Sequence, residues 1–431
     1  MNKEIFQKIL TDQRELSSLP QVVAEVIRVS GSSDTSAADL AEVVMKDPGL
    51  TAKLLRVVNS PYYAPASKIS TVKQAVVNLG VRTVTAVTVA TSIYSLIGSV
   101  HTTIDRKKFW RHSLEVALAS RMIARSVKLE SPDEAFVAGL LHDIGMLVME
   151  ASFPEDFGKV WKKIESGDNL IEAEQEIWGT NHARVGQFLL AQWNIPENIC
   201  QAVGNHHQVF AEEDEKKGVP LDNVVNLANL ISKFRINSMT PPGPKFLESK
   251  RIMAAGLDIS NSALAEIEKN LISDVVRESG FLEIDIGNME EILREANRLL
   301  YKQYLIAEDL LRQNMDIQQQ MAEGHAVDNS GHMVRELIER FSLFINDVNQ
   351  AMLALSQEAE SVSMNGEIQS AAERLKEIIG EGTGNISYIL EELKRINGSG
   401  HCRNNSLLGE AEQRINLRIQ KFRRSFSPIK I

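Results

Sequence analysis

The stretch DPGLTAKLLRVVNS at residues 47–60 predicts one complete helix with both of its ends marked. Asp47 is a residue type that caps helix starts, and Pro48 suits the first helical position, where no amide proton is needed. Asn59 and Ser60 mark the end of the helix. Apolar residues recur at three- and four-residue steps and therefore share one face, namely Leu50, Leu54, Leu55 and Val58. The stretch predicts a short amphipathic helix that packs on a core through that face.

The same helical spacing continues on both sides of this stretch. Ser36 is placed to cap a helix over AADLAEVVMKD, with Asp39 in its first turn. Residues 81–97 are apolar and rich in β-branched side chains, so composition alone would permit a strand there. Their length and their helical surroundings favour a buried helix instead. Helical periodicity then runs through residues 109–234, and we predict an all-α protein.

A Pro- and Gly-rich cluster, TPPGPK at 240–245, predicts a break in the chain. Residues 288–321 carry a sparse apolar stripe on a polar helix, which suits a connector or a dimer seam. The predicted divisions are a helical domain at 12–240, short helices at 241–285, a long connector helix with a flexible joint at 286–330, a helical hairpin at 331–396 and a basic tail, expected to be disordered, at 397–431.

The bulk composition argues against several classes of protein. A net charge of −10 gives the chain as a whole no basic footprint for nucleic acid. The two cysteines, Cys200 and Cys402, are far apart, which fits a reducing compartment and argues against a disulfide scaffold. We find neither the apolar core of a signal peptide nor a run of about 18 apolar residues. We therefore predict a cytoplasmic protein that binds neither a membrane nor nucleic acid.

The segment from Leu19 to about Phe234 resembles the HDOD family of bacterial signalling proteins, and this resemblance covers about half of the chain. A long ordered series carries it: Leu19-Pro20, DPGLTAKLLRVVNSPYY from Asp47, Ile69-Ser70, Ala75 and Leu79-Gly80. The resemblance implies an HD-like helical fold, related to the HD phosphohydrolases, with its HD-like part at 109–234. It also implies a regulator without catalytic activity, of the kind found attached to cyclase, phosphodiesterase, kinase or receiver domains.

Four residues of this family motif, Asp47, Pro48, Asn59 and Ser60, have a structural role that needs no partner. Loss of a capping side chain such as Asp47 costs a helix about 1 kcal/mol. The amide of Asn59 is expected to bond nearby backbone at the helix end. We predict that these residues maintain the fold, with recognition of a partner as the alternative.

The chain also resembles the cyclic-dinucleotide phosphodiesterases of the HD superfamily at six metal-ligand positions, namely His112, His142, Asp143, His182, His206 and His207. Imidazole and carboxylate ligands suit Zn, Mn, Fe or Ni. Asp143 is the candidate for bridging two ions, which in such sites lie about 3.5–4 Å apart. The alternative is that these histidines are buried, hydrogen-bonded core residues.

The chain departs from those enzymes at four places. Asn229 stands where the resemblance implies a carboxylate ligand, Met146 replaces a lysine that helps hold phosphate, and Gln208 replaces an acid. The glycine-rich segment expected after Gln208 is missing. A neutral amide at position 229 should weaken the binding of a second metal, and Met146 removes a donor to the charge that develops in the transition state.

These departures predict that the chain is not an enzyme. We expect a regulator or scaffold that relays a conformational signal to a protein partner, either a receiver, a kinase or a cyclic-dinucleotide enzyme. The alternative is a metal-dependent phosphohydrolase that acts on cyclic dinucleotides or nucleotides.

Residues 340–360 are faintly similar to the phosphoacceptor helix of sensor histidine kinases, with Asn346 at the position of the phosphorylated histidine. The segment 331–396 is therefore either a plain dimerisation hairpin or a degenerate kinase-type hairpin, and either one predicts a homodimer. A second alternative function, a degenerate phosphorelay component, follows from the same similarity.

Overall fold

The structure is a computed structural model, and it describes residues 3–12, 20–31, 36–61, 63, 65–97, 104–165, 168–208, 220–232, 244–287 and 291. Within these ranges the chain forms helices and no strands, which confirms the all-α prediction. The helices are α1 (Lys3–Asp12), α2 (Gln21–Ser30), α3 (Ala37–Val44), α4 (Pro48–Val58), α5 (Val72–Ile97), α6 (Arg106–Ser126), α7 (Pro132–Leu141), α8 (Ile144–Ser152), α9 (Pro154–Glu165), α10 (Leu170–Trp178), α11 (His182–Gln192), α12 (Glu197–Asn205), α13 (Leu221–Ile231), α14 (Pro244–Gly256) and α15 (Asn261–Leu282).

The caps predicted for α3 and α4 are present. Ser36 Oγ accepts a hydrogen bond from the Asp39 amide at 3.2 Å, and the Asp39 carboxylate accepts from the Ser36 amide at 2.9 Å. Asp47 Oδ1 accepts from the Leu50 amide at 3.0 Å. These bonds satisfy amides that have no partner inside a helix, and so they fix where each helix starts.

Asn59 joins the end of α4 to the loop that follows it. Its amide nitrogen donates to the Leu55 carbonyl at 2.6 Å and to the Ile69 carbonyl at 2.7 Å. Its amide oxygen accepts from the Ile69 backbone N–H at 2.8 Å. Both ends of the side chain are thus used to hold local backbone.

Helix α5 confirms that residues 81–97 form a helix in spite of their β-branched composition. The helix is interrupted at Gly80, whose φ of 86° and ψ of 160° lie outside the helical region. A positive φ of this size favours glycine. Beyond the break the segment is largely buried, with Val84, Val87 and Ile93 in the core.

Helix α6 lies at the centre of the domain and is buried from Phe109 to Arg121. Helices α7, α13 and α15 pack against it. Arg121 lies with its guanidinium carbon 3.9 Å from the centre of the Phe136 ring and its Nε 3.3 Å from Asp133 Oδ1. Asp133 in turn accepts a hydrogen bond from Thr83 at 2.6 Å. This buried ion pair therefore ties α6 to α7 and α5.

The close approach of α8 to α11 depends on Gly145. A Cβ atom at this position would lie 2.0 Å from the His182 carbonyl oxygen and 2.8 Å from the Gly186 amide nitrogen. No larger residue fits without moving one helix away from the other. The glycine of the HDIG sequence thus brings the start of α8 against the start of α11.

Two stretches, Val72–Tyr94 and Pro132–Ser152, are long and apolar enough to cross a membrane by length and composition. Within Pro132–Ser152, 94% of the apolar window is buried inside the fold, and the corresponding share for Val72–Tyr94 is 56%. Core helices of a folded domain have the same composition, so these stretches are weak candidates for membrane spans.

Helices α14 and α15 belong to the same compact unit as the helices before them, a unit formed by Met1–Thr240 and Lys245–Ile286. Helix α15 has 22 residues, longer than the short helices predicted for 241–285, and it packs against α6 and α4. The connector, hairpin and tail predicted for 286–431, including Asn346, lie outside the described residues except at positions 286, 287 and 291.

Candidate metal centre

Five helices, α6, α7, α8, α11 and α12, bring the six predicted ligands into one cluster. His112 lies within α6, and His142 and Asp143 form the turn between α7 and α8. His182 is the first residue of α11, while His206 and His207 follow the last residue of α12. His207 is exposed and the other five side chains are buried. Residues that lie far apart in the sequence therefore meet at one partly open site.

Asp143 is the centre of this cluster, and its two carboxylate oxygens face different histidines. Oδ2 lies 3.2 Å from His142 Nε2 and 3.5 Å from His112 Nε2. Oδ1 lies 3.2 Å from His182 Nε2 and 3.4 Å from His206 Nε2. Two ligand groups result, both of which contain Asp143. We call Asp143, His182, His206 and His207 the four-ligand group, and His112, His142 and Asp143 the three-ligand group.

The Nδ1 atoms of four of these histidines point away from Asp143, each toward an acceptor. His142 Nδ1 donates to the Gly139 carbonyl at 2.8 Å, and His206 Nδ1 donates to the Val203 carbonyl at 2.7 Å. His182 Nδ1 lies 2.8 Å from a carboxylate oxygen of Glu174. Because carbonyls and carboxylates only accept, these contacts place a proton on Nδ1 and leave Nε2 on the side of the ring that faces Asp143.

His112 is oriented in the same way through a relay. Its Nδ1 lies 2.8 Å from the hydroxyl of Ser232, the residue after α13, and that hydroxyl donates to the carboxylate of Glu115. The Ser232 oxygen is thus left to accept from His112 Nδ1. Metal-binding histidines commonly have such a partner on the nitrogen that does not bind the ion.

His206 presents a buried ring nitrogen to the centre of the cluster. Its Nε2 is buried, and within the described part of the chain it makes no hydrogen bond. Burial lowers the pKa of His206 to about 4, against the opposing contact with Asp143. A neutral imidazole with a free lone pair in a buried site is a fitting ligand for a transition metal.

The surroundings of Asp143 and His182 shift the pKa values of both groups in favour of their charged forms. Burial would raise the pKa of the Asp143 carboxyl, but the charge of His142 and hydrogen bonds from His112, His142 and His182 hold that pKa well below its usual value. Burial likewise opposes the charged form of His182, yet Glu174 and Asp143 together raise the pKa of His182 to about 10. The cluster therefore holds an ion pair of its own at neutral pH.

Three residues that sequence reasoning missed stand behind the histidines, namely Glu115, Glu174 and Ser232. Glu174 lies in the centre of an apolar stripe of α10 that includes Leu170 and Trp178, and a lone acid in such a stripe is a usable signal. Glu115 lies three residues after His112, on the same face of α6. Ser232 follows α13 in a segment without such a pattern, so only the fold reveals it.

The substituted positions also lie near the cluster in sequence or space. Asn229 lies on α13, three residues before the Ser232 that contacts His112. Met146 is buried in α8, with 1% of its surface exposed. The Gln208 carbonyl accepts a hydrogen bond from the Asn226 side chain. Asn229, Met146 and Gln208 thus have uncharged side chains at the positions where the resemblance implies charged groups.

The remaining family-motif residues are not part of the cluster. Asp47 and Pro48 start α4, Asn59 ends it, and Ser60 is completely buried just after it. Helix α4 packs against α5 and α15.

Comparison with solved structures identifies the same fold in two bacterial proteins. An HDOD domain protein of Geobacter sulfurreducens is 23% identical, with 61% of this chain and 92% of that chain covered at a TM-score of 0.50. A phosphohydrolase-like protein of Shewanella amazonensis SB2B is 22% identical, with 65% and 98% covered at a TM-score of 0.51. At these identities the likeness shows the fold alone.

Curated relatives match parts of the chain. An uncharacterized protein of Treponema pallidum is 24% identical over 230 residues, which are 53% of this chain and 44% of that protein. Ribonuclease Y of Chlorobaculum tepidum is 28% identical over 144 residues, which are 33% of this chain and 21% of that protein. This chain thus spans less than half the length of the curated relatives it matches.

The model of the HDOD domain family matches residues 16–209. That range contains α2–α12, and with them all six predicted ligands. The chain therefore carries an HDOD domain over residues 16–209.

Proposed function

We propose that this chain is a signal-transduction regulator that does not hydrolyse phosphoesters and that passes the conformational state of its HDOD domain to a protein partner. One observation carries the proposal: Asp143 is the one carboxylate in either ligand group found among the described residues. Two cations held close together need anions in their shells, because buried charge without a counter-charge is costly. Asn229 supplies no charge at the position where the related phosphodiesterases have one.

The arrangement suits a structural role for a divalent transition metal. When bound, such an ion would join the ends of α8, α11 and α12 through Asp143, His182, His206 and His207, and cross-links of this kind add folding free energy. Met146, buried and without a donor group, leaves nothing at its position to stabilise a phosphoryl oxygen. The ligands are therefore better suited to fixing a conformation than to breaking a bond.

A direct route leads from the cluster to the C-terminal end of the described domain. Arg111, the neighbour of His112 in α6, is buried, and its Nε and Nη2 donate to the Ile286 carbonyl at 3.0 and 2.8 Å. The Asp285 amide donates to Tyr94 Oη at 2.9 Å. A change at Asp143 reaches His112 through Oδ2, and α6 can carry it to the segment 283–286. We propose this route as the output of the domain.

Amide hydrogen exchange tests the route. We expect the exchange rate of residues 283–286 to differ at least about fivefold between protein loaded with Zn²⁺ and protein stripped with a chelator. Arg111→Met should abolish the difference while the protein still binds metal, whereas Arg125→Met, on the exposed end of α6, should preserve it. Equal exchange of residues 283–286 in the loaded and stripped wild-type protein would contradict the relay.

The partner and the cellular setting belong to the same proposal. We propose that the chain acts in the cytoplasm as a homodimer, and that its partner is a receiver, a kinase or a cyclic-dinucleotide enzyme. The HDOD domain is consistent with such a signalling role.

A metal-dependent phosphohydrolase is the second candidate function, and the division of the cluster around Asp143 favours it. One carboxylate oxygen toward each ligand group is the arrangement that bridges two ions. The partial match to a protein named Ribonuclease Y also supports a phosphohydrolase as the candidate function.

An activity assay separates the two functions. Wild-type protein, loaded in turn with Mn²⁺, Fe²⁺ and Ni²⁺, is offered cyclic dinucleotides and bis(p-nitrophenyl) phosphate, with Asp143→Ala as the control. We expect no turnover above the level of that control. Turnover at an ordinary enzymatic rate that disappears in Asp143→Ala would establish the hydrolase and overturn the regulator.

A further inference from the structure

The two ligand groups around Asp143 are not equivalent. The four-ligand group offers one oxygen and three imidazoles, because His207 Nε2 lies 3.1 Å from His182 Nε2 and joins the Oδ1 side. The three-ligand group offers Oδ2, His112 and His142. Four protein ligands complete a tetrahedral shell, whereas three leave a position open.

The two ligand groups also differ in the negative charge that lies next to their histidines. Glu174, which is completely buried, contacts His182 directly: both of its oxygens lie within 3.0 Å of His182 Nδ1, and one accepts from the His182 amide at 3.1 Å. In the three-ligand group, the partner of His142 Nδ1 among the described residues is the neutral Gly139 carbonyl. The contact of Glu115 with His112 runs through the Ser232 hydroxyl.

We propose, on the basis of the metal binding proposed above, that one divalent transition metal binds in the four-ligand group, and that Glu174 is the positioning residue that favours this group. A divalent cation there is balanced by the two negative charges of Asp143 and Glu174. A second divalent cation in the three-ligand group would have the negative charge of Glu115 to balance it. The charge of Asp143 already balances the first cation, and Asn229 is neutral. The resulting excess of buried positive charge disfavours the second ion.

The test uses the full-length chain without a histidine tag, with Zn²⁺ for affinity and Co²⁺ as a spectroscopic probe. We expect about one metal per chain and the intense visible absorption of four-coordinate Co²⁺. Glu174→Gln keeps the size of the side chain but removes its charge, and it should weaken Zn²⁺ binding roughly 10- to 100-fold. Ser232→Ala, which removes the corresponding contact of the other group, should change affinity less than about threefold.

A second variant keeps the test valid if Glu174→Gln fails to fold, which unfolding curves in chelator will reveal. His207 is exposed, so His207→Ala should fold, and it should both weaken binding and change the Co²⁺ spectrum. The spectrum of Ser232→Ala should match that of the wild-type protein.

The outcomes separate this inference from the proposed function. Two metals per chain, or a Ser232→Ala loss larger than those of Glu174→Gln and His207→Ala, would overturn the assignment to the four-ligand group and leave a metal-binding regulator intact. Less than about 0.2 metal per chain in the wild-type protein would remove the metal itself, and this inference with it.

Discussion

The carboxylate of Asp143 stands between four imidazoles, two on each oxygen, and the adjacent backbone is the turn that separates α7 from α8. The same residue therefore sets the geometry of both ligand groups and takes part in both. Any second anion has to come from another position, and residue 229 is where the resemblance stated from the sequence implies one.

Asn229→Asp is expected to restore a second metal. The new carboxylate adds one negative charge on α13, three residues before the Ser232 that contacts His112, at the position where the resemblance to the phosphodiesterases implies a carboxylate ligand. We predict that the metal content measured by mass spectrometry rises from about one to about two per chain. Asn78→Asp, which adds the same charge on the exposed surface of α5, is the control and should leave the content at one.

The stability of the metal-free protein should fall on the alkaline side of neutrality. Burial opposes the charge of His182, but Glu174 and Asp143 raise its pKa in the folded chain to about 10, above the ordinary value of 6.5. A group whose pKa is raised by folding contributes fully below its unfolded pKa, and this contribution is lost as the pH rises toward the folded pKa. We therefore expect the free energy of unfolding in chelator to decline between pH 6.5 and 10.

Glu174→Gln should flatten this decline, since it removes one of the two anions that hold the proton on His182. Glu172→Gln, on the exposed side of the same helix, is the matched control. Denaturant midpoints at pH 7 and pH 9.5 measure the effect. An unchanged alkaline decline in Glu174→Gln would mean that Glu174 does not stabilise the charged imidazole.

The residues of the cluster were predictable from sequence to different degrees. The six candidate ligands were predicted because their types and order resemble the metal-binding positions of HD-superfamily phosphodiesterases, and the structure brings all six side chains together. Their orientation was not predictable, since it depends on carbonyls such as those of Gly139 and Val203 and on Glu115 and Glu174. Those contacts either join separate helices or depend on which side of a helix each residue occupies. A single sequence does not show which acid faces inward.

At the scale of helices, capping signals and apolar spacing predicted local structure well. Asp47 and Ser36 cap the helices expected of them, and residues 81–97 belong to α5, which packs against α2, α3, α4 and α7. The length of α15 and its packing on α6 were missed. Its stripe is interrupted by the buried acids Glu268 and Glu278, which weakens the apolar pattern.

Of the helix contacts in the domain, the one between α8 and α11 should be the most sensitive to added side-chain volume. We predict that Gly145→Ala destabilises the protein by about 3 kcal/mol or more, because the new methyl would lie 2.0 Å from the His182 carbonyl and force the helices apart. Metal affinity should fall with it, since the two helices carry Asp143 and His182. Urea unfolding and Zn²⁺ titration measure the two effects.

Gly158→Ala in α9 is the matched control for this substitution. A Cβ at Gly158 meets no atom within 4 Å, so alanine should stabilise that helix by roughly 0.5–1 kcal/mol through its higher helix propensity. If Gly145→Ala were as well tolerated as Gly158→Ala, the close approach of α8 and α11 would not be required.

At the scale of the whole molecule, the structure moves the end of the compact domain from the sequence break at 240–245 to Ile286. The reason is physical: α15 packs on α6 and α4, Arg111 holds the Ile286 carbonyl, and Glu283 pairs with Arg56. A Pro- and Gly-rich sequence marks a turn, but it does not show whether the helices after it return to the same core.

The dimer predicted from the sequence can be tested with a chain that is shortened at the end of the compact domain. A protein that ends after Gly287 retains the Ile286 carbonyl for Arg111, so it should fold with an unfolding midpoint like that of the full-length domain. We predict that light scattering gives a monomer for this shortened chain and a dimer for the full-length protein, because the amphipathic hairpin predicted at 331–396 supplies the apolar contact. A shortened chain that remains dimeric would place the main contact within residues 1–287 instead.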